Sequence, residues 1–111
     1  MSCLFDALEK YLHVPSARIR SMVCDYLDAN KFILEGMETL EVLKTIDSQY
    51  VENMRHETTF GSAIEISVVC RLWGVNIEVK DAKANRVVLF DINECPIFMC
   101  VLYWNGCHYW S

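Results

Sequence analysis

At Gly74 the spacing of apolar residues changes, and that change restricts the chain to a domain with helices first and strands last. Before it, Leu4, Phe5, Leu8, Tyr11 and Leu12, and then Ile19, Met22, Val23, Tyr26 and Leu27, recur three and four apart. Such spacing gathers them on one face of a helix and predicts helices over 3–13 and about 16–29, with Ser16 as the N-cap of the second. Beyond Gly36, Thr39, Val42, Leu43 and Ile46 suggest a short helix, and Asp47 or Ser48 can cap another that carries Tyr50, Val51 and Met54. The stretch GSAIEISVVCRLW reads as a helix burying Ala63, Ile64, Val68 and Leu72, although its β-branched residues leave a strand open. Past the glycine, VNIEVKD sets Val75, Ile77 and Val79 alternately against Asn76, Glu78 and Lys80. RVVLFDI follows across the polar turn DAKAN, which makes a hairpin. PIFMCVLYW is a third strand, and the turn dipeptide Asn105-Gly106 precedes CHYW, a fourth. The fold class expected is α+β, N-terminal helices packed on a small, mainly antiparallel C-terminal sheet.

With 111 residues, 53% of them hydrophobic, the chain suits one domain over 1–111 and needs no disulfide or metal to build a core. Residues 1–57 hold ten of the fifteen acids and six of the ten basic residues, and the net charge is −5. Phosphate binding requires clustered Lys and Arg, so nucleic acid is not expected as a partner. An acidic surface suits a basic protein or peptide, and equally a solvated face that aids solubility. No apolar run approaches the ~20 residues of a membrane span, and Asp6 and Glu9 interrupt the one candidate signal segment. We therefore expect no membrane insertion, a cytoplasmic location and six free thiols rather than a disulfide framework.

Chemistry is confined by there being three histidines. His13 ends a helix and His56 sits in a polar stretch, whereas His108 follows a tight turn at the edge of the expected sheet. A cysteine protease needs a thiolate, an imidazole to take its proton and backbone N–H groups for the oxyanion. Cys3, in the first turn of a helix, has the positive end of the dipole and unpaired N–H groups beside it. A lone cysteine in a helix is usually core, so catalysis requires the fold to bring opposite chain ends together. Cys95, Cys100, Cys107 and His108 crowd the C-terminus but contain no C-x-x-C pair. On a strand Cys107 and His108 would also point to opposite faces. We expect no metal and no cofactor. Cys24, Cys70 and Cys100 fall within apolar patterns and read as core.

Three blocks together resemble the ovarian-tumour (OTU) family of cysteine proteases. SCLFDAL is similar to the family's D-G-(N/S/D)-C-(L/M)-F nucleophile motif, and TTFGSAIEISVVCRLWGVNIEVKD to its W-G-G-x-x-E-I segment. VLYWNGCHYW resembles the final strands, which end in an H-Y dipeptide. The resemblance implies a papain-related fold and a deubiquitinase, cleaving the isopeptide bond after the diglycine tail of ubiquitin or a ubiquitin-like modifier through a thioester. It makes Cys3 the nucleophile and His108 the general base, with Phe60, Gly61 and Ser62 at the W-G-G positions near the tail channel, Tyr109 packed beside the histidine, and Tyr109 and Trp110 completing the substrate-binding set. Backbone N–H groups of Cys3 and the preceding loop would receive the oxyanion. Where the family often has an orienting Asp or Asn two residues after the histidine, this chain has Trp110, whose indole N–H cannot accept a hydrogen bond. The family's other arrangement, an acid three residues before the cysteine, precedes the start of this sequence. One implication is that either a Cys–His dyad suffices, as in similar compact proteases of RNA viruses, or the missing carboxylate was removed with the flanking sequence. Another is a minimal domain excised from a viral replication polyprotein. Glu35, Glu38 and Glu41 form a candidate contact region for a partner with a basic tail. The alternatives are a non-catalytic ubiquitin-binding domain of the same fold and a protease directed only at viral polyprotein junctions.

Overall fold

The two opening helices form as their periodicity requires. A computed structural model of the chain describes residues 3–29, 43, 45–56, 59 and 61–111. Phe60, the acids Glu35, Glu38 and Glu41, and most of the short helix expected from Thr39 lie outside the described residues. Helix α1 (Cys3–Leu12) buries Leu4, Phe5, Ala7 and Leu8, and ends where His13 takes a left-handed conformation, φ 55°. Helix α2 (Ser16–Asp28) buries Ile19, Val23, Cys24 and Leu27. Its N-cap is Pro15 rather than Ser16. Ser16 is already helical, and its N–H, which would otherwise lack a partner, donates to Glu9 Oε1 of α1 at 2.8 Å. That bond joins the two helices at their shared corner.

Helix α3 (Tyr50–Met54) follows a turn built on Asp47. The Asp47 carboxylate accepts the Gln49 N–H at 2.9 Å and the Asn53 Nδ2 at 2.7 Å, which holds its pKa below the ordinary value. Helix α4 (Ala63–Trp73) starts from a capping box between Ser62 and Glu65 and stops at Gly74, whose φ of 67° suits a residue without a Cβ. The helical reading of this stretch holds, but its buried face is Glu65, Ile66, Val68, Val69 and Cys70. Ala63 is exposed and Ile64 and Leu72 are half-buried. The cap turns Glu65 inward, and the expected apolar stripe rotates with it.

Four strands complete the chain: β1 (Asn76–Asp81), β2 (Arg86–Phe90), β3 (Met99–Trp104) and β4 (Tyr109–Trp110), in the order β2-β1-β3-β4. The outer pairings are antiparallel, whereas the central β1–β3 pair is parallel, so the sheet is mixed. Asn93 explains the reversal. Its Nδ2 donates to the carbonyls of Cys70 and Val75, and its N–H donates to Asn76 Oδ1. Asn76 Nδ2 returns a bond to the Asn93 carbonyl at 2.9 Å. The connection from β2 is thereby tied beside the start of β1, and β3 leaves in the same direction as β1. This clasp also accounts for Asn76 being buried where alternation placed it outward. The third strand starts at Met99 rather than Pro96, and the fourth is two residues long. One core of Phe5, Leu8, Ile19, Leu27, Ile66, Val69, Ile77 and Leu102 joins helices and sheet. Among the described residues no helix is long and apolar enough to cross a membrane.

Candidate active site

Cys3 is the first residue of α1 and is half-buried, at the end of the helix where backbone N–H groups lack intrahelical partners. The helix is held by its neighbours in both directions. Tyr11 OH donates to the Val101 carbonyl at 3.0 Å, which uses the edge of β3 left open by the short β4. Ser111 Oγ donates to the Ala7 carbonyl at 3.2 Å and draws the C-terminus onto α1. The packing of α1 against β4 therefore joins the two ends of the sequence.

His108 is exposed, in the turn that leads into β4. The register Trp104↔Tyr109 makes 105–108 a four-residue connection, not a two-residue Asn-Gly hairpin. Asn105 acts through its side chain: Oδ1 accepts the N–H of Cys107 at 2.9 Å and of His108 at 2.8 Å. Gly106 takes a φ of 96°, which the tight path requires. His108 is thus presented from a turn closed by its own backbone. Because Cys107 shares that turn, strand alternation does not separate the two side chains. Among the described residues no three metal-ligating side chains lie together.

Tyr109 is half-buried, with its ring 4.5 Å from that of Trp104, and burial, followed by the nearby Cys3, raises its pKa. Trp110 lies on the opposite sheet face, stacked on Tyr103 at 5.6 Å and 18°. Gly61 packs directly on Leu4, next in sequence to Cys3, and an added Cβ there would overlap Leu4 Cδ2. Leu4 is buried and has little room to yield. Gly61→Ala is expected to destabilise the fold by ~1–3 kcal/mol, the usual cost of overpacking a filled site, as read from the shift in urea midpoint. Ser62 is the N-cap of α4, its hydroxyl and N–H both directed to Glu65. The structure thus brings Cys3, Gly61 and Tyr109 into one neighbourhood and turns the Trp110 ring to the other side.

A model of the family described as OTU-like cysteine protease matches residues 2–109. The chain belongs to the OTU family. A Schizosaccharomyces pombe protein assigned the name ubiquitin thioesterase otu1 is 29% identical over 108 residues, which cover 97% of this chain and 32% of that protein. This OTU domain therefore spans about a third of that curated relative. An OTU domain solved in complex with ubiquitin superposes with a TM-score of 0.77 at 24% identity, over 97% of this chain and 61% of that one, and shares its fold.

Beneath α1 lies a polar network that periodicity does not reveal. Arg20 is 3% exposed, with its guanidinium 4.6 Å from the centre of the Phe5 ring on α1. Its Nη1 donates to the Met54 carbonyl and its Nη2 to the Thr59 carbonyl, both at 2.7 Å. Burial lowers its pKa, and Cys24, Glu65, Asp6 and Cys3 act in the opposite direction. Glu65, fully buried, accepts from Tyr50 OH, Ser62 N–H and Ser62 Oγ, each at 2.7 Å. A basic residue on the buried stripe of α2 was the available sequence signal for Arg20. For Glu65 it was the S-x-x-E spacing of a capping box.

All six cysteines carry free thiols. Burial pushes Cys24 and Cys70 up to about 11 and Cys100 up to about 12. Iodoacetamide should therefore alkylate Cys3, Cys95 and Cys107 in the native protein and reach the other three only after denaturation, as peptide mass spectrometry would show. These raised values also carry a sign. The unfolded thiols ionise near 9 while the folded ones stay protonated, so the unfolded state binds fewer protons and stability falls as pH rises from about 9 towards 12. A lower urea midpoint at about pH 10 than at about pH 8 would report that loss.

Proposed function

We propose that this OTU domain is a ubiquitin-directed cysteine peptidase that cleaves after the modifier's diglycine tail. The observation that carries the reading is α1, with Cys3 at its N-terminus, held by Ser111 and Tyr11 against the strands that follow and precede His108. His108 takes the Cys3 proton as the thiolate adds to the carbonyl of the terminal glycine. The oxyanion forms beside the unpaired N–H groups at the start of α1. Collapse breaks the bond to the lysine amine, which leaves with the proton from His108 and forms a thioester. A water, deprotonated by His108, then adds to the thioester carbonyl and releases the tail carboxylate and Cys3. Gly61, packed against Leu4, fits a channel narrow enough to select glycine. The names of the relatives, a ubiquitin thioesterase and a ubiquitin-bound OTU domain, support ubiquitin as the modifier. Phe60, Ser62 and Tyr109 are assigned to the tail channel with Gly61.

Incubation with ubiquitin bearing an electrophile at its C-terminus is expected to give a covalent adduct that maps to Cys3 and is absent from Cys3→Ala. Ubiquitin binding without any adduct would instead establish a non-catalytic binding domain, the reading that Trp110 in place of an orienting acid favours. A polyprotein junction with the same tail would be cut by the same steps, and a tail peptide lacking the ubiquitin body distinguishes the two substrates.

A further inference from the structure

Strand β2 lies at one edge of the sheet, and among the described residues no strand lies beyond it. Its centre, Val87, Val88 and Leu89, is 55%, 41% and 50% exposed. Edge strands are ordinarily protected by a lysine, a proline or a bulge. RVVLF has no lysine, proline or bulge, its one charge is Arg86 at the end of the strand, 3.7 Å from Asp81 of β1, and its register with β1 runs without interruption.

The direction of its backbone follows from the ladder. The Asn76 N–H donates to the Phe98 carbonyl and the Ala82 N–H to the Trp104 carbonyl, so even-numbered residues of β1 turn their peptide groups towards β3. Odd-numbered residues then face β2, where Ile77, Val79 and Asp81 meet Phe90, Val88 and Arg86. Val87 and Leu89 are left with N–H and C=O directed to the open edge. A strand that pairs there must be short and apolar on both faces, because Val88 and Phe90 lie on one face and Val87 and Leu89 on the other.

We infer that the partner is a second copy of this chain, paired through β2 antiparallel to β2 on a two-fold axis at Val88. β2 meets its own requirement. Placing Val88 opposite Val88 of the second copy puts Val87 opposite Leu89, which exchange the open N–H and C=O groups in both directions. The same register sets Arg86 opposite Phe90 at each end, where a cation and an aromatic ring sit side by side. Pairing of two five-residue strands buries less than the ~1,200 Å² of a standard interface, so the dimer is weak and depends on concentration. Each copy carries a net charge of −5, and added salt strengthens the association by screening that repulsion. β4 lies at the opposite edge of the sheet, so Cys3 and His108 stay open in both copies.

Sedimentation velocity of the wild-type chain, from micromolar to near-millimolar concentration, should show the monomer giving way to a dimer. Leu89→Pro removes an N–H that the fold itself does not use, and Val87→Lys charges the edge. Both should stay monomeric with an unchanged melting temperature. Register is read by cross-linking. Val88→Cys lies at a non-hydrogen-bonded pair with Cα atoms ~4.5 Å apart, within reach of a disulfide, so mild oxidation should link residue 88 to residue 88. Val87→Cys should not link to itself. A wild type that stays monomeric throughout, a dimer that both edge variants retain, or links from residue 88 only to Cys95 or Cys107 would each overturn the inference.

Discussion

His108→Ala is expected to lower turnover of a ubiquitin conjugate by ~10²–10⁴-fold, the range supplied by a positioned general base, with KM and melting temperature little changed. The fold should survive because the bonds that build its turn run through backbone and Asn105: the His108 N–H to Asn105 Oδ1, and the Asn105 N–H to the His108 carbonyl at 3.2 Å. The imidazole itself is exposed and lies outside those bonds. Steady-state hydrolysis of a fluorogenic ubiquitin substrate, with melting curves on the same samples, checks both parts. Equal turnover in the variant would remove His108 from the mechanism and leave Cys3 to be tested alone. Trp110 bears on the same point. Its ring stacks on Tyr103, and the hydrogen bonds that join His108 to Asn105 run through the histidine's backbone.

Arg20→Met should destabilise the domain by roughly 2–5 kcal/mol, the cost of leaving two buried carbonyl acceptors unpaired. The substitution fills much of the volume but leaves the Met54 and Thr59 carbonyls without the donors that reach them at 2.7 Å. It also removes the cation packed on Phe5, two residues along α1 from Cys3. Arg20→Lys should recover only part of the loss, because an ammonium cannot span two carbonyls and stack on a ring as a planar guanidinium does. Urea unfolding of the three proteins measures this directly. A wild-type midpoint in Arg20→Met would show that the network contributes little to stability.

These two residues illustrate what can be read from a linear sequence. The turn that carries His108 was legible because it and the short aromatic strand after it are local features. Arg20 falls on the buried stripe of α2 by spacing, but that stripe is identified by its apolar members, and a cation there reads as an interruption. Its partners lie 34 and 39 residues away. Glu65 is hidden from periodicity for a related reason, since the carboxylate that completes the capping box is buried with it. The buried face of α4 and the N-cap of α2 differ from the sequence expectation where a carboxylate, Glu65 in one and Glu9 in the other, takes a backbone donor at the helix start.

Local periodicity alone determined that helices open this chain and strands close it, where α1 and α4 run, that Cys24, Cys70 and Cys100 are buried, and that a cysteine stands at a helix start with a histidine at the far end. It did so because side-chain burial repeats with the backbone's own period. Tertiary structure decided the parallel β1–β3 pairing, through the Asn76–Asn93 clasp, and the seating of α1 on the C-terminal strands, through Tyr11 and Ser111. Those contacts join residues 17, 90 and 104 positions apart. Hydrogen bonds at such separations follow from where the whole chain runs, which no local repeat encodes.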